Sequence, residues 1–183
     1  MPWLPETPPD FPKRLQPAVV RWVLPGWYIP YQVGAAVVAG RIYYIPIFVT
    51  EATTYIRIGG NVSALSAGSA DCRIFKWNNG LPGSLILSAG TFDTGTTGLK
   101  EIVISQLLAR DYYFLAVRYT GTPTMYGADP FYAIVTPVPG CRETGTVTPN
   151  KLVLYVDAVY ADPAPAPTDG TYSTYVSILL REN

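Results

Sequence analysis

The chain reads as all-β: an antiparallel β-sandwich, jelly-roll-like, behind an extended Pro-rich N-terminal arm. Three observations predict this. No long stretch keeps a clean 3.6-residue period, whereas several short runs alternate with period 2. About eight such runs follow one another, separated by Gly, Pro and Asn turn signals, which is the spacing of a sandwich or barrel. Eight of the 18 prolines fall in residues 1–30, where Pro disfavours both helix and central strand. The division expected is an arm over residues 1–40 and a sandwich over residues 41–183.

The arm carries Trp3, Trp22, Trp27, Tyr28 and Tyr31 among its prolines. A solvated tail would be polar and charged. An aromatic arm is expected to dock, so these five residues are the candidate assembly interface. The alternative is that the arm wraps its own sandwich.

Arg41 to Val49 reads as the first core strand, with Pro46 demoting part of it to an edge or a bulge. Glu51 to Thr54 is a polar corner. Tyr55 to Ala64 alternates again, with Ile56, Ile58 and Val62 inward and a bulge expected at Gly59-Gly60. Leu65 to Ala70 is a small-residue turn. Leu99 to Leu107 places Ile102 and Ile104 on one face, after a Thr/Gly loop over residues 91–98. In Asp111 to Tyr119, Tyr113, Leu115, Val117 and Tyr119 face one way, and Tyr112, Phe114, Ala116 and Arg118 the other. Thr120 to Asn150 is a long Pro-containing connection. Lys151 to Tyr160 and Tyr172 to Arg181 are the last strands, joined by a Pro/Ala segment, Ala161 to Gly170, that should be stiff and extended. The predicted core includes Ile74, Leu85, Ile104, Leu115 and Val117.

The most informative stretch is Asp71 to Gly90. Cys72, Ile74 and Lys76 fall on one face of a strand, and Arg73, Phe75 and Trp77 on the other. Asn78-Asn79-Gly80 then breaks the run, because Asn and Gly tolerate the positive φ of a tight reversal. Leu81-Pro82-Gly83 adds a second turn signal. Ser84 to Ser88 resumes a strand, with Leu85 and Leu87 on one face and Ile86 on the other.

This stretch resembles a segment of structural proteins of tailed bacteriophages, in which a strand runs into a tip like Asn78-Asn79-Gly80-Leu81-Pro82-Gly83-Ser84-Leu85-Ile86. Tyr43-Tyr44-Ile45-Pro46, Glu51 to Tyr55, Gly98 to Ile102 and Leu107 to Ala116 fit the same order. Arg110-Asp111 stand where the family has Pro-Gly, and Phe114 where it has Trp. The resemblance covers residues 41–121. It implies a β-sandwich module of a tail fibre, baseplate or head appendage, located in the virion and partnered by other virion proteins. By analogy it also implies a homo-oligomer, with a trimer as the first guess. It carries over no functional residues.

Composition bounds the chemistry. The 183 residues suffice for one sizeable core. Thirteen basic residues balance thirteen acidic ones, so no basic excess draws the chain to nucleic acid. Charged residues are only 14%, against about 25% in an average soluble domain, which points to surface hidden against partners or to a large aromatic core. Residues 22–40 carry no charge, but Pro25, Gly26, Pro30 and Gly34 interrupt them, so no membrane insertion is expected. The start of the chain lacks the charged and apolar regions of a signal peptide.

The chain has no histidine, which removes the commonest general base and metal ligand. No Ser nucleophile elbow occurs, and Cys72 lies in mid-strand without a base, so a triad hydrolase is excluded in this chain. Glu51 and Glu101 could form an acid/base pair only if the fold brought them together. Calcium, an oxygen-binding ion, would need Asp71, Asp93 and Asp111 to converge. The expectation is a non-enzymatic protein with no catalytic residues, no cofactor and no bound metal. Cys72 and Cys141 could bridge, but two buried free thiols are expected. One binding chemistry remains. Trp77, Asn78 and Asn79 set an aromatic ring beside amides at a turn, as recognition of a host-surface glycan requires; the bland alternative is a core Trp beside an ordinary turn.

Overall fold

The computed structural model describes residues 22–23, 32–128, 153–171 and 178–182. Within them the fold is an antiparallel β-sandwich of twelve strands with no helix. In chain order these are β1 (Trp22–Val23), β2 (Gln32–Ala36), β3 (Arg41–Val49), β4 (Thr53–Ala64), β5 (Ser69–Asn78), β6 (Leu81–Asp93), β7 (Gly98–Leu108), β8 (Asp111–Tyr119), β9 (Thr124–Ala128), β10 (Val153–Asp157), β11 (Asp169–Thr171) and β12 (Leu179–Glu182).

One sheet, called B, runs β11-β10-β3-β8-β5-β6. The other, called A, is built on β4, with β7 along one of its edges and β12 and β9 in succession along the other; β1 extends β12 and β2 extends β9. The chain crosses repeatedly between the sheets. Within sheet B, consecutive strands pair twice: β5 with β6 through a tight turn, and β10 with β11 across a longer connection.

The core between the sheets follows the alternation. Tyr43, Ile45, Ile47 and Val49 point in from β3, Cys72 and Ile74 from β5, and Tyr113, Leu115, Val117 and Tyr119 from β8. Tyr55, Ile58 and Val62 meet them from β4, with Ile104 and Leu108 from β7, Met125 from β9 and Leu180 from β12. The predicted core residues Ile74, Ile104, Leu115 and Val117 are all buried here.

Leu85 is a correction. The β5–β6 register shifts between Ile74 and Phe75: Ile74 opposes Leu87 and Phe75 opposes Leu85, leaving Ile86 as the extra residue. A bulge of this kind turns the following side chains to the other face. Leu85 therefore packs half-buried on the outer face of sheet B, while Leu87 packs inward, although simple alternation puts both on one side.

Other expectations shift as well. β4 carries extra residues at Ile56 against β12 and at Ser63 against β9, with the β7 register also shifting opposite Ile56, and not at the glycine pair. Gly59 and Gly60 run in regular register with Glu101 and Lys100. Gly59 is needed for close approach, since a Cβ there would run into the Lys100 carbonyl oxygen. Pro46 lies inside β3; among the described residues the β10 pairing reaches Tyr44, and β8 pairs Pro46 with Phe114. β6 runs on to Asp93, into the expected Thr/Gly loop. β9 forms within the expected long connection, and β10 ends at Asp157.

The arm boundary also moves. β2 pairs with β9 over Gln32 to Ala36, and the Trp22–Val23 backbone pairs with Arg181 and Leu180, so these residues belong to sheet A. Trp3, Trp27, Tyr28 and Tyr31 lie outside the described residues, as do Cys141 and residues 172–177.

Candidate functional site

The outer face of sheet B carries a second apolar layer. Even-numbered positions of β3 and β8 and odd-numbered positions of β5 point there, and register places them in rows. Ile42, Arg118 and Asp71 form the first row, Tyr44, Ala116 and Arg73 the second, and Pro46, Phe114 and Phe75 the third. Phe48 opposite Tyr112 begins the fourth, which Trp77 completes just beyond the last β5–β8 pair, Lys76 with Tyr113. Ile42, Tyr44, Phe75, Phe114, Ala116, Leu154 and Val156 are buried together.

The rings form a continuous track. Tyr44 meets Phe75 and Phe114 edge-on at 6.0 and 6.4 Å. Phe114 stacks parallel on Trp77, 4.9 Å between centroids and 4° between planes. Trp77 leans on Tyr112 at 5.2 Å, and Tyr112 on Phe48 at 4.6 Å. Such pairs add about 0.5–1.5 kcal/mol each beyond the area they bury.

The segment from Ala158 to Thr168 crosses this face as a strap. Arg118 Nε donates to the Ala158 carbonyl, and the Tyr160 hydroxyl donates to the Asp71 carbonyl at 3.0 Å. The Arg73 guanidinium lies 4.1 Å over the Tyr160 ring, and that ring lies 6.1 Å from Phe75. At β6 the Leu85 N–H donates to Asp162 Oδ1, and the Ala164 N–H donates to the Gly83 carbonyl. The Tyr44 hydroxyl donates to the Pro165 carbonyl at 3.1 Å, and the Thr168 N–H returns the strap to Tyr155. The strap therefore covers the first three rows and occupies part of the free edge of β6, where an uncovered strand invites pairing with another chain. Burial pushes the Tyr44 phenol well above its ordinary range, and it does the same for Tyr160.

The fourth row is the open end. Tyr112 is 37% exposed, Phe48 and Trp77 are half-buried, and Asn78 and Asn79 are exposed beside them. The turn itself is the two-residue reversal that Asn-Gly favours: Asn79 has φ 49° and Gly80 φ 87°, and Asn78 pairs with Leu81. Arg110 stands 6.0 Å from the Phe48 ring. Trp77 is thus neither a core Trp nor a ring standing free, since one of its faces is spent on Phe114.

The other candidate chemistries do not assemble. Glu101 lies between Arg57 (3.5 Å) and Arg181 (3.6 Å) on the outer face of sheet A, well along β4 from the corner that holds Glu51. Asp71 pairs with Arg73, Asp93 accepts the Gly95 N–H, and Asp111 accepts its neighbour's N–H at the opposite end of sheet B. Among the described residues no three His, Cys, Asp or Glu side chains come together as a metal site. Cys72 is buried and unbridged, and burial pushes its thiol up, away from the reactive thiolate. No helix among the described residues is long and apolar enough to cross a membrane.

The aromatic layer has a sequence signal. Tyr112, Phe114 and Ala116 make β8 apolar on both faces, the pattern of a strand covered on both sides. The strap that covers it has no such signal, because Pro/Ala composition specifies an extended chain and not what it lies on. No family model matches the chain, and no curated protein or solved structure matches it significantly.

Proposed function

We propose that this chain is a non-enzymatic structural subunit of a tailed-bacteriophage particle, a sandwich that assembles with copies of itself and with other virion proteins through its N-terminal arm. The observation that carries the reading is the ordered resemblance over residues 41–121, whose phrases fall on β3, the β5–β6 hairpin, β7 and β8. A charged content of 14% and an arm of prolines and aromatics support assembly over a solitary life in solution.

Deleting residues 1–20 tests it, because that cut spares β1 and its pairing with β12. The truncated chain should keep its β-rich circular dichroism spectrum and sediment as a monomer, and it should fail to enter particles in which the full chain has a constant copy number. Normal incorporation of the truncated chain, or absence of the full chain from purified particles, overturns the proposal. Glycan recognition at Trp77, Asn78 and Asn79 is the second reading, favoured by the exposure of both amides beside Tyr112. It ranks lower because Phe114 occupies one face of Trp77.

A further inference from the structure

Three rows of the aromatic face are roofed by a Pro-rich piece of the chain itself, with Pro165 bonded to Tyr44 and Ala164 to Gly83. The fourth row, Phe48–Tyr112–Trp77, continues the same track with the same chemistry, and no contact of the strap reaches it among the described residues. The chain holds a second Pro-rich segment. Residues 1–17 contain six prolines, five of them in three P-x-x-P phrases: Pro2-Trp3-Leu4-Pro5, Pro5-Glu6-Thr7-Pro8 and Pro9-Asp10-Phe11-Pro12. Prolines three apart favour the polyproline II helix, whose ridges dock on aromatic-lined surfaces.

The dimensions agree. Neighbouring rings of the row lie 4.6 and 5.2 Å apart, so the outer two are separated by about 10 Å. One polyproline turn rises about 9 Å. Prolines at i and i+3 therefore match the separation of the two outer rings, Phe48 and Trp77. Charge agrees over the phrases themselves: Arg110 stands beside Phe48 at the end of the row, and residues 2–12 carry Glu6 and Asp10 with no basic residue, ahead of Lys13 and Arg14.

We infer that the row Phe48–Tyr112–Trp77 is the docking surface for residues 1–17 of a second copy of this chain. The inference rests on the assembly reading above and supplies the receptor for its arm. A second copy is the occupant because β1 and β2 belong to sheet A. The chain's own arm would have to run round the rim of the sandwich to reach the outer face of sheet B, whereas a neighbour's arm needs only contact.

The test uses the full chain with a benzophenone amino acid in place of Tyr112, mixed with wild-type chain carrying a heavy isotope. Irradiation should link position 112 to residues 1–17 of the heavy copy, and excess synthetic peptide of residues 1–17 should suppress the link several-fold. The same probe at Val103, on the other sheet, should give little. Tyr112→Ser should weaken self-association about tenfold, as loss of an aromatic anchor does, whereas Tyr112→Phe should leave it unchanged.

Links only within one copy, links to other residues, or undiminished association of Tyr112→Ser each overturn the inference. Glycan capture that depends on Tyr112 without any link to residues 1–17 does so as well. If removing residues 1–20 abolishes association while position 112 never touches the arm, the assembly reading stands and this docking surface falls. If that removal changes nothing, both fall.

Discussion

Leu99, Val103 and Leu107 stand on the outer side of β7 with exposures of 46%, 72% and 61%. Phe114 and Ala116, on the outer side of β8, are as deeply buried as Leu115 and Val117 on its inner side. Both strands alternate cleanly, so alternation does not decide the outcome. On sheet A the outer face carries an ion cluster, with Glu101 held between Arg57 and Arg181, and among the described residues nothing roofs the apolar side chains of β7. On sheet B the outer face is closed by a strap that the chain supplies from between β10 and β11. Among the described residues the sandwich thereby gains a third layer on the outer side of sheet B, where a set of outward aromatic residues is buried, whereas the outward Tyr126 of sheet A stays 38% exposed.

The widest test of this asymmetry is alkaline. Burial raises the phenols of Tyr43, Tyr44 and Tyr119 above the ordinary value of about 10. A group whose folded pKa is raised contributes stability that is fully present below the unfolded value and is lost as pH rises beyond it, because the unfolded chain then releases protons the folded chain keeps. Stability should therefore hold up to about pH 10 with respect to these groups and fall above it. Ultraviolet absorbance should show Tyr44 ionising together with unfolding. Ionisation of Tyr44 ahead of unfolding, identified by its loss in Tyr44→Phe, would mean that the strap leaves that face wet.

Core truncation comes next. Phe114→Ala should cost about 3–5 kcal/mol and Leu115→Ala about 2–5 kcal/mol in denaturant unfolding, each through lost transfer energy and a cavity. Near-equality makes the outer face of sheet B a second core. A small cost for Phe114 alongside a full cost for Leu115 would reduce the strap to decoration.

Removing one bond between strap and sheet has a smaller effect. Tyr44→Phe deletes the donation to the Pro165 carbonyl and should cost about 0.5–1.5 kcal/mol, the net worth of an ordinary hydrogen bond. Amide exchange should quicken at Ala164 and Leu85, whose N–H groups the strap contacts protect. At the bottom of the scale, Val103→Ser on the open face of sheet A should shift stability by no more than about 0.5 kcal/mol. A larger loss in the full chain would show that another part of the protein covers β7.

Much of this was readable from residues alone. The faces of β8, the inward set of β5 and the Asn79-Gly80 reversal followed from period 2 and from tolerance of positive φ. What failed was anything set by a partner strand. Ile86 is extra only because Phe75 pairs with Leu85, and that register is invisible in the local run. β2 and β9 are short strands of small or unremarkable residues that hold each other in place, and neither carries a strand signal strong enough to stand out from the Pro-containing segments around it. For the site, Trp77 was found, but its neighbours Tyr112 and Phe48 come from strands that are distant in sequence. Composition could not reveal that row.

The strap also sets an order of events at the ribosome. β3, β5 and β8 are complete once Tyr119 has been made, but β10 and the strap follow only after residue 152. At about 5–20 residues per second, the interval between Tyr119 and Thr168 lasts a few seconds. For that time a nascent sheet can already pair while Tyr44, Phe75 and Phe114 have no roof, and the edge of β6 lacks Asp162 and Ala164. Chains stalled in this window should be the ones that chaperones hold and that aggregate with one another. The finished chain has covered that same surface with its own prolines.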